Sequence, residues 1–511
     1  MASDAGENKA PLAGGQLAIV TVALALAVFM NVLDISIANV SIPTIAGELA
    51  VSPDQGTWVI TFFAVANAIA VPVSGWLARQ VGEVRLFVVC TLLFTLFSWF
   101  CGLAFTFPML LACRALQGAT AGPMIPLSQS LLLSCYPNDK RGFANGVWGM
   151  TAVVGPVAGP ILGGWITEHI NWSWIFYINV PIGLLAAGVS WVMLRDRETA
   201  ITRQRIDGVG LLLLAVGVGS LQVMLDQGND KAWFQSTYIV TLALISLVTL
   251  SFFVVWELTA DRPIVELHLF GDRNFAIATT ALCFGYMAFF SAIVILPLWL
   301  QTQMGYTSEW AGYATASLGL LGAIFSPISG RLADKVDPRI LVTTGFVIFA
   351  AVSFYNSGFN DNATFWQLFV PRLPWGVGTA FFFIPLITLA FSRLPVSQVA
   401  SASGLFNFLR QISLGFGTSL SVTLWDKRAT LHDHRLTSHL TAFDPATTHW
   451  LAQAREAGIS TAQAYAKLAS QVSGQAFMLA TNDLFYLSGW LFLLLIGLIW
   501  LASPVNGRGR E

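Results

Sequence analysis

Asp34 is the residue in this sequence whose type and position best suit proton chemistry. It lies well inside an apolar run near residues 16–40. An ionisable group at membrane depth costs about 2.5 to 3.5 kcal/mol on insertion scales, so a functional role is the default. We interpret Asp34 as a residue that carries a proton. Asn39, about one turn further along the same run, is interpreted as a residue that orders water toward the outside.

Arg114 lies inside another apolar run and is the expected partner of Asp34. If the first run crosses a bilayer outward, Asp34 and Arg114 both lie roughly 10 Å below the outer surface at 1.5 Å per residue. Burial disfavours a charged carboxylate and a nearby guanidinium favours it, so separating the pair would change proton occupancy. A static ion pair with only a structural role is the alternative.

Two further arginines fall within apolar runs. Arg372 lies near the outer end of its run, where its side chain can either extend to the surface or serve a function. Arg410 lies near the middle of its run, and the surrounding C-terminal runs show no clear carboxylate to pair with it. We interpret Arg410 as a group that attracts anionic or weakly acidic molecules, with a backbone carbonyl partner as the alternative.

Aromatic side chains on the later apolar runs are candidates for a cavity that accepts many hydrophobic shapes. The polar residues Gln117, Arg372 and Arg410 are assigned to the same cavity. The aromatic candidates are Phe284, Phe289, Phe290, Trp375, Phe381, Phe382 and Phe383.

Glycines recur every four residues at Gly155, Gly159 and Gly163, with Gly164 adjacent. This spacing places three glycines on one helix face, where another backbone can approach closely. The prolines of the same stretch, Pro156 and Pro160, remove backbone donors and are expected to bend the helix. The spacing alone does not distinguish a glycine face with a purely structural role from one along which two helices move during function.

Composition indicates the medium in which these groups act. The chain of 511 residues is 55% apolar and only 10% charged, against roughly a quarter charged in soluble domains. A formal net charge of −1 gives no basic excess for a nucleic acid. The sequence lacks a GxxxxGK[ST] phosphate loop, which argues against an ATP-driven pump. The five cysteines lie in or beside apolar runs, and no pattern indicates a disulfide, a metal site or another cofactor.

Apolar runs of about 20 residues match a hydrocarbon core of about 30 Å. They predict an all-α integral membrane protein with 14 transmembrane helices in an order of six, two and six. The predicted spans are 16–40, 57–77, 86–106, 108–133, 143–166, 174–194, 208–225, 237–257, 275–300, 310–330, 340–358, 365–391, 400–424 and 484–502.

An internal repeat divides the chain into two related halves. PVSGWLARQVGEVRL begins at Pro72, and PISGRLADKVDPRIL begins 255 residues later at Pro327. A second pair, RALQG at Arg114 and RLPWG at Arg372, recurs at nearly the same offset. Matching segments at one offset predict two pseudo-symmetric halves.

Basic residues predict the orientation, because they concentrate in cytoplasmic loops. With both termini cytoplasmic, Lys231 is the single basic residue in the short outer loops. The basic loop from Arg195 to Asp207, which includes Arg197, Arg203 and Arg205, is interpreted as a topology anchor, with a lipid or regulator site as the alternative. The expected units are a tail 1–15, a half 16–194, a linker with the inserted pair 195–274, a half 275–503 with a long outer loop 425–483, and a tail 504–511.

Five segments together resemble a known family over almost the whole chain. They are VLDISIANVSIP from Val32, RALQGATAGPMIP from Arg114, GPILGG from Gly159, WSWIFYINVPIG from Trp172 and WELTADRPIVELHLF from Trp256. The sequence resembles the major facilitator superfamily, and within it the fourteen-helix drug:proton antiporters that form the inner-membrane subunits of tripartite efflux pumps.

The resemblance implies a function as well as a fold. It implies proton-coupled export of hydrophobic or weakly acidic toxic compounds from the bacterial inner membrane, with two halves that rock around a midplane site. It also implies a periplasmic membrane-fusion adaptor and an outer-membrane channel as partners, which meet the 425–483 segment. An importer or uniporter of the same fold is the alternative.

The resemblance also assigns residues that control conformation. These include the antiporter motif from Gly155 to Gly164 and, in the repeated loop, Gly75, Gly330 and Asp334. The first copy of this loop departs from the family pattern, because Arg79 replaces the usual aspartate. The charged contact that the aspartate of this loop makes in the family is therefore assigned to the second copy, at Asp334.

Overall fold

The structure, a computed structural model, describes residues 11–137, 140–201, 207–260, 263–440 and 444–505. Most of the two predicted tails lies outside these ranges, as do Arg203 and Arg205 of the basic linker. Within them the regular structure is helical. The first half comprises α1 (Gly14–Glu48), α2 (Pro53–Gly56), α3 (Trp58–Val81), α4 (Glu83–Gly102), α5 (Phe107–Cys135), α6 (Arg141–His169), α7 (Trp174–Tyr177) and α8 (Asn179–Leu194).

The inserted pair and the second half follow in the expected order. The inserted pair is α9 (Gly208–Gln227) and α10 (Thr237–Thr259). The second half comprises α11 (Arg273–Thr302), α12 (Ser308–Ala333), α13 (Pro338–Asn356), α14 (Phe365–Phe369), α15 (Arg372–Ala390), α16 (Val396–His439), α17 (Pro445–Glu456) and α18 (Thr461–Trp500).

The described residues contain 11 helices long and apolar enough to cross a membrane. A twelfth span results if the two parts of α6 are joined across a bend of 45° between Pro156 and Ile161, where two prolines interrupt the backbone hydrogen bonds. The all-helical membrane fold is thereby confirmed. The two remaining predicted spans coincide with α5 and α16, which carry more polar residues, and for them the count of 14 stays a prediction.

The sequence repeat has a structural counterpart in two equivalent helix contacts. Gly118 of α5 packs so closely on the backbone carbonyl of Phe63 in α3 that a Cβ would not fit. Gly376 of α15 packs in the same way on the carbonyl of Leu318 in α12. Only glycine allows such an approach. The four helices thus form matching pairs in the two halves.

The inserted pair lies against both halves through α9. Helix α9 packs on α3 of the first half and on α16 of the second. Ser419 of α16 donates a hydrogen bond of 2.7 Å to the carbonyl of Leu225. Trp233, just after α9, donates one of 2.8 Å to Thr423. The end of the pair at which α9 leads into α10 is therefore fastened to α16.

The 425–483 segment, expected as a long loop, is largely a continuation of the neighbouring helices. Helix α16 has 44 residues, a length of about 66 Å at 1.5 Å per residue, which is about twice a hydrocarbon core. It ends at His439, and α17 begins at Pro445, where the side chain of Asp444 accepts a hydrogen bond from the Thr447 backbone. The segment is therefore a helical projection.

The base of this projection is joined by polar contacts between α16 and α18. Trp425 donates a hydrogen bond of 2.8 Å to Thr481. The Asp483 carboxylate lies 2.8 Å from Arg428 Nε and 2.7 Å from His432 Nε2. These contacts hold the two long helices together where they leave the bundle.

Candidate functional site

The structure brings Asp34 and Arg114 together in the interior of the first half. Both side chains are fully buried, and Arg114 Nη1 lies 2.5 Å from Asp34 Oδ2. Helix α1 supplies the carboxylate and α5 the guanidinium. The depth estimate from helix rise alone therefore leads to the observed pair.

Two amides also donate to the Asp34 carboxylate. Gln117 Nε2 lies 3.1 Å and Asn179 Nδ2 lies 2.9 Å from Asp34 Oδ1. An ionised carboxylate accepts hydrogen bonds and donates none, so the three donors match that form. Gln117, which the sequence assigns to the substrate cavity, is instead fully buried in this cluster, because it lies one turn after Arg114 on the same face of α5.

Arg114 is held by contacts besides the ion pair. Its Nε donates to the carbonyl of Val59 at 3.1 Å, and Nη1 donates to Gln117 Oε1 at 2.8 Å. Its guanidinium lies 4.2 Å from the centroid of the Phe63 ring, a cation–π contact. The Nη2 atom has no hydrogen-bond partner among the described residues. The guanidinium is therefore bound by several groups in addition to Asp34.

Asn179 is a site residue that sequence reasoning missed. It is the first residue of α8, and its Nδ2 also donates to Ser98 Oγ at 3.0 Å. Its Oδ1 is buried and has no hydrogen-bond partner within the described part of the chain. The available signal was an asparagine inside an apolar run, but nothing local shows that this run faces Asp34.

Asn39 lies apart from the carboxylate cluster. Its side chain is exposed and donates a hydrogen bond of 3.3 Å to the carbonyl of Ile35 in its own helix. The structure places it one turn beyond Asp34 toward the end of α1. Its assigned role in ordering water stays a prediction.

The glycine face of α6 packs directly on the part of α1 that carries Asp34. A Cβ at Gly155 would lie 2.6 Å from Val32, and one at Gly159 would lie 2.5 Å from Ser36. A Cβ at Gly163 would lie 2.8 Å from the carbonyl of Ile37. The three glycines thus set the distance between α6 and α1 on both sides of the carboxylate.

The remaining residues of this motif contribute less. The carbonyl of Pro156 accepts a hydrogen bond of 3.1 Å from Ser36, which ties the bend of α6 to α1. Gly164 is half-buried. The Pro160 side chain lies outside the described residues.

The second copy of the repeated loop joins the two halves at the end of the bundle that carries the basic loop from Arg195 to Asp207, called here the basic-loop end. Asp334 accepts hydrogen bonds from the backbone N–H groups of Gly142 at 2.7 Å and Phe143 at 3.1 Å. These groups belong to the first turn of α6, where a carboxylate is favourable. Gly330 packs on the carbonyl of Gly142 without room for a Cβ.

The first copy uses a different contact at the equivalent place. Arg79 forms a salt bridge of 2.6 Å with Glu266 and donates a hydrogen bond of 2.9 Å to Ser401 of α16. Gly75, one turn earlier, has its Cα facing Ser401 closely enough that a Cβ would lie 2.9 Å from the hydroxyl. The departure at Arg79 therefore replaces the aspartate contact with a contact between the halves that includes the linker.

Arg410 lies in the second half, next to Tyr286. It is half-buried, and its Cζ lies 5.8 Å from the centroid of the Tyr286 ring. Among the described residues no carboxylate pairs with it. Tyr286 was missed in the sequence, although it lies one turn from Phe289 and Phe290 on α11.

The predicted aromatic residues divide into three groups. Phe289 and Phe290 contact Tyr286, as does Phe383, whose ring centroid lies 5.2 Å from that of the tyrosine. Trp375 and Phe382 are fully buried within the second half.

Phe284 and Phe381 stand outside this aromatic cluster. Phe284 is 47% exposed, and Phe381 is half-buried. No ring contact of either is described. Phe284 lies two residues from Tyr286 on α11, and Phe381 lies two residues from Phe383 on α15, so each points to a different side of its helix. Their assignment to a shared cavity stays a prediction.

Arg372 does not extend to the surface, although its position in the sequence allowed this. It is 2% exposed, and Nη2 donates a hydrogen bond of 3.2 Å to the carbonyl of Ala292. Its Cζ lies 5.5 Å from the Trp375 ring and 5.9 Å from the Phe485 ring. It occupies the place in α15 that Arg114 occupies in α5. Both guanidinium groups lie near two aromatic rings, but Arg372 donates to a backbone carbonyl, whereas Arg114 donates to a carboxylate.

Comparison with known proteins gives consistent matches. The family model "Major Facilitator Superfamily" matches residues 24–418. The chain is 48% identical to the Multidrug export protein EmrB of Haemophilus influenzae over 498 residues, 97% of this chain and 98% of that protein. It is 46% identical to the Fatty acid resistance protein FarB of Neisseria gonorrhoeae over 494 residues, 97% of each. The solved proton:xylose symporter XylE is 13% identical and has a TM-score of 0.61 over 96% of this chain and 97% of that one.

Proposed function

Since the chain belongs to the Major Facilitator Superfamily, a family of transporters, we propose that it is a proton-coupled multidrug efflux antiporter of the bacterial inner membrane. Relatives that match it along nearly their whole length are named for multidrug export and for fatty acid resistance. The single observation that carries the proton coupling is Asp34, fully buried among Arg114, Gln117 and Asn179.

The proton step takes place at the Asp34 carboxylate. In the arrangement described, three side-chain donors face the Asp34 carboxylate, which is the hydrogen-bond pattern of its ionised form. When a proton binds an Asp34 oxygen, the charge attraction to Arg114 is lost, and the new O–H needs an acceptor. Rotation of the Asn179 amide would present its Oδ1, which has no partner among the residues that the structure describes, for this purpose. The cluster can then exist in two hydrogen-bonded forms, one for each protonation state.

The conformational step follows from where Asp34 lies. Helix α1 carries Asp34 and packs on the glycine face of α6, whose first turn is bonded to Asp334 of the second half. A shift of α1 against α6 can therefore reach the contact between the halves. The contacts of Asp334 and Arg79 close the basic-loop end, which corresponds to an outward-facing state if that end is cytoplasmic.

The everted-vesicle experiment tests this function. Inverted membrane vesicles with the protein should accumulate a lipophilic drug when the vesicle interior is made more acidic than the outside. A protonophore should abolish the accumulation. An importer or uniporter of the same fold would only equilibrate the drug. Equilibration without proton flux would replace the antiport proposal with this alternative.

Arg410 and Tyr286 give the substrate site its polar part. Arg410 is half-buried and has no carboxylate partner in the described part of the chain. Such a guanidinium attracts an anionic group more strongly than it would in water. The neighbouring rings of Phe289, Phe290 and Phe383 offer apolar contact. We assign this surface to hydrophobic and weakly acidic substrates.

Arg410→Ala is expected to lower transport of weakly acidic substrates about tenfold or more while cationic drugs change less, since a charged hydrogen bond contributes about 1.5 to 3 kcal/mol. Uptake of a fatty acid and of a lipophilic cation by the same vesicles measures this. Arg410→Lys, which keeps the charge, is the matched control. Equal losses for both substrate classes would exclude selective anion recognition.

The helical projection formed by the ends of α16 and α18 with α17 is the surface proposed for a periplasmic adaptor, which leads to an outer-membrane channel. Its polar, exposed helices extend beyond the length that a bilayer covers. With both termini cytoplasmic, this projection lies on the periplasmic side.

Deleting residues 430–475 is expected to keep transport in vesicles and to abolish whole-cell drug resistance. The deletion leaves the contact of Trp425 with Thr481 and that of Arg428 with Asp483 in place, so a short Gly/Ser linker should preserve the membrane part. Co-purification with the adaptor and drug susceptibility measure the effect. Unchanged adaptor recovery would contradict the proposal.

A further inference from the structure

A groove on the side of the first half, facing away from the second half's core, lies between α4 and α8. Its volume is about 550 Å³, within the range of about 300 to 1,000 Å³ that suits small molecules. Its walls are almost entirely apolar and run about 10 Å along the two helices. The lining includes Arg85, Val88, Leu92, Leu184, Gly188 and Trp191.

The groove is open to the bilayer along its length. Leu92 is 42% exposed and Leu184 54% exposed. Gly188 forms part of the wall, and a Cβ at this position would meet no atom within 4 Å. A larger side chain at this position would therefore begin in open space beside the groove.

A cationic group stands at the basic-loop end of the groove. The Arg85 side chain is 56% exposed, and its Nε lies 3.8 Å from Glu198, beyond hydrogen-bond distance. The Glu198 carboxylate is instead bonded to the backbone N–H groups of Val84 and Arg85. The Arg85 guanidinium therefore forms a long salt bridge with Glu198 but no hydrogen bond with any residue that the structure describes, and its exposed N–H groups can donate to an external anion.

Two more residues suit the same end of the groove. Trp191 is 41% exposed, and an indole at the membrane boundary typically contacts lipid at headgroup level. Arg195 follows it by one turn and is also exposed, 4.0 Å from its neighbour Asp196. Arg85 lies two residues after the start of α4 and Trp191 lies three residues before the end of α8, so the guanidinium and the indole lie at the same end of the apolar groove.

We propose that this groove binds an anionic phospholipid, with one acyl chain between α4 and α8 and the phosphate on Arg85. Both helices belong to the first half, so the lipid moves with that half. Neither Asp34 nor the Arg410 surface takes part, and the proposal stands independently of the transport mechanism.

Native mass spectrometry of the detergent-purified full chain tests this site. Phosphatidylglycerol and phosphatidylcholine with identical acyl chains are added separately to delipidated protein. We expect the first phosphatidylglycerol to bind the unmodified protein more tightly than phosphatidylcholine, and Arg85→Ala to weaken its binding about fivefold. Arg85→Lys should keep most of the preference.

A second set of variants tests the site by filling the groove. Gly188→Trp is expected to remove this binding event for both lipids. Gly497→Trp, at another exposed glycine with open space around its Cβ, should have no effect. Equal affinity for the two lipids, or unchanged phosphatidylglycerol binding in Arg85→Ala or in Gly188→Trp, would overturn the proposal. A loss of both lipids in Gly188→Trp with no effect of Arg85→Ala would indicate an apolar occupant instead.

Discussion

Asp34→Asn is expected to reduce proton-driven drug accumulation to the level of vesicles without the protein. Asparagine has the size of aspartate but cannot titrate, so no proton is exchanged at this position. The introduced amide N–H₂ group would also face the N–H donors of Gln117 and Asn179. These donors would then lose an acceptor, which destabilises the described cluster. Drug accumulation and proton flux in the same vesicles measure the effect.

Controls for this variant must separate proton carrying from a static structural pair. Removing one member of a buried ion pair costs about 3 to 5 kcal/mol, because the other charge is left unpaired. The double variant Asp34→Asn with Arg114→Gln removes both charges, and we expect it to recover thermal stability without recovering proton coupling. Asp230→Asn, at an exposed position in the loop after α9, should behave like the unmodified protein.

The outcome that would contradict this assignment is specific. If Asp34→Asn still builds a drug gradient with normal proton flux, Asp34 is not the carrier, even though the family and fold are unaffected. If the double variant recovers both stability and coupled transport, the pair has only a structural role.

Gly159→Leu is expected to abolish transport while the protein still inserts into the membrane. Even a Cβ at this position would lie 2.5 Å from Ser36, and a leucine would force α6 away from α1 beside Asp34. Overpacking of this kind typically costs about 1 to 3 kcal/mol, which a large membrane protein can tolerate. Drug efflux from cells and the amount of protein in the membrane fraction measure the two effects.

A matched glycine is available as a control. Gly497→Leu adds the same side chain to an exposed position of α18 with no atom within 4 Å of its Cβ, and it should leave efflux unchanged. Gly159→Ala is expected to give an intermediate loss, since its single methyl group already meets Ser36. Normal efflux by Gly159→Leu would show that the close approach of α6 and α1 is not needed for transport.

Much of the membrane part followed from the sequence because local rules fix it. Apolar runs have a length set by the bilayer, and the helix rise fixes the depth of each residue. These rules led to the pairing of Asp34 with Arg114. The spacing of four residues likewise placed Gly155, Gly159 and Gly163 on one face, and that face does receive another helix.

Contacts between helices distant in the sequence were decided only by the tertiary structure. Asn179 bonds to Asp34 across 145 residues, and no local periodicity shows which face of α8 meets α1. The position of Arg372 allowed a surface side chain, yet the packing of α15 against α11 buries it. Arg79 appeared only as a departure from a motif, and its contacts with Glu266 and Ser401 depend on how the two halves meet. Residue type and depth are properties of the chain, whereas the partner of a buried polar group is a property of the packed bundle.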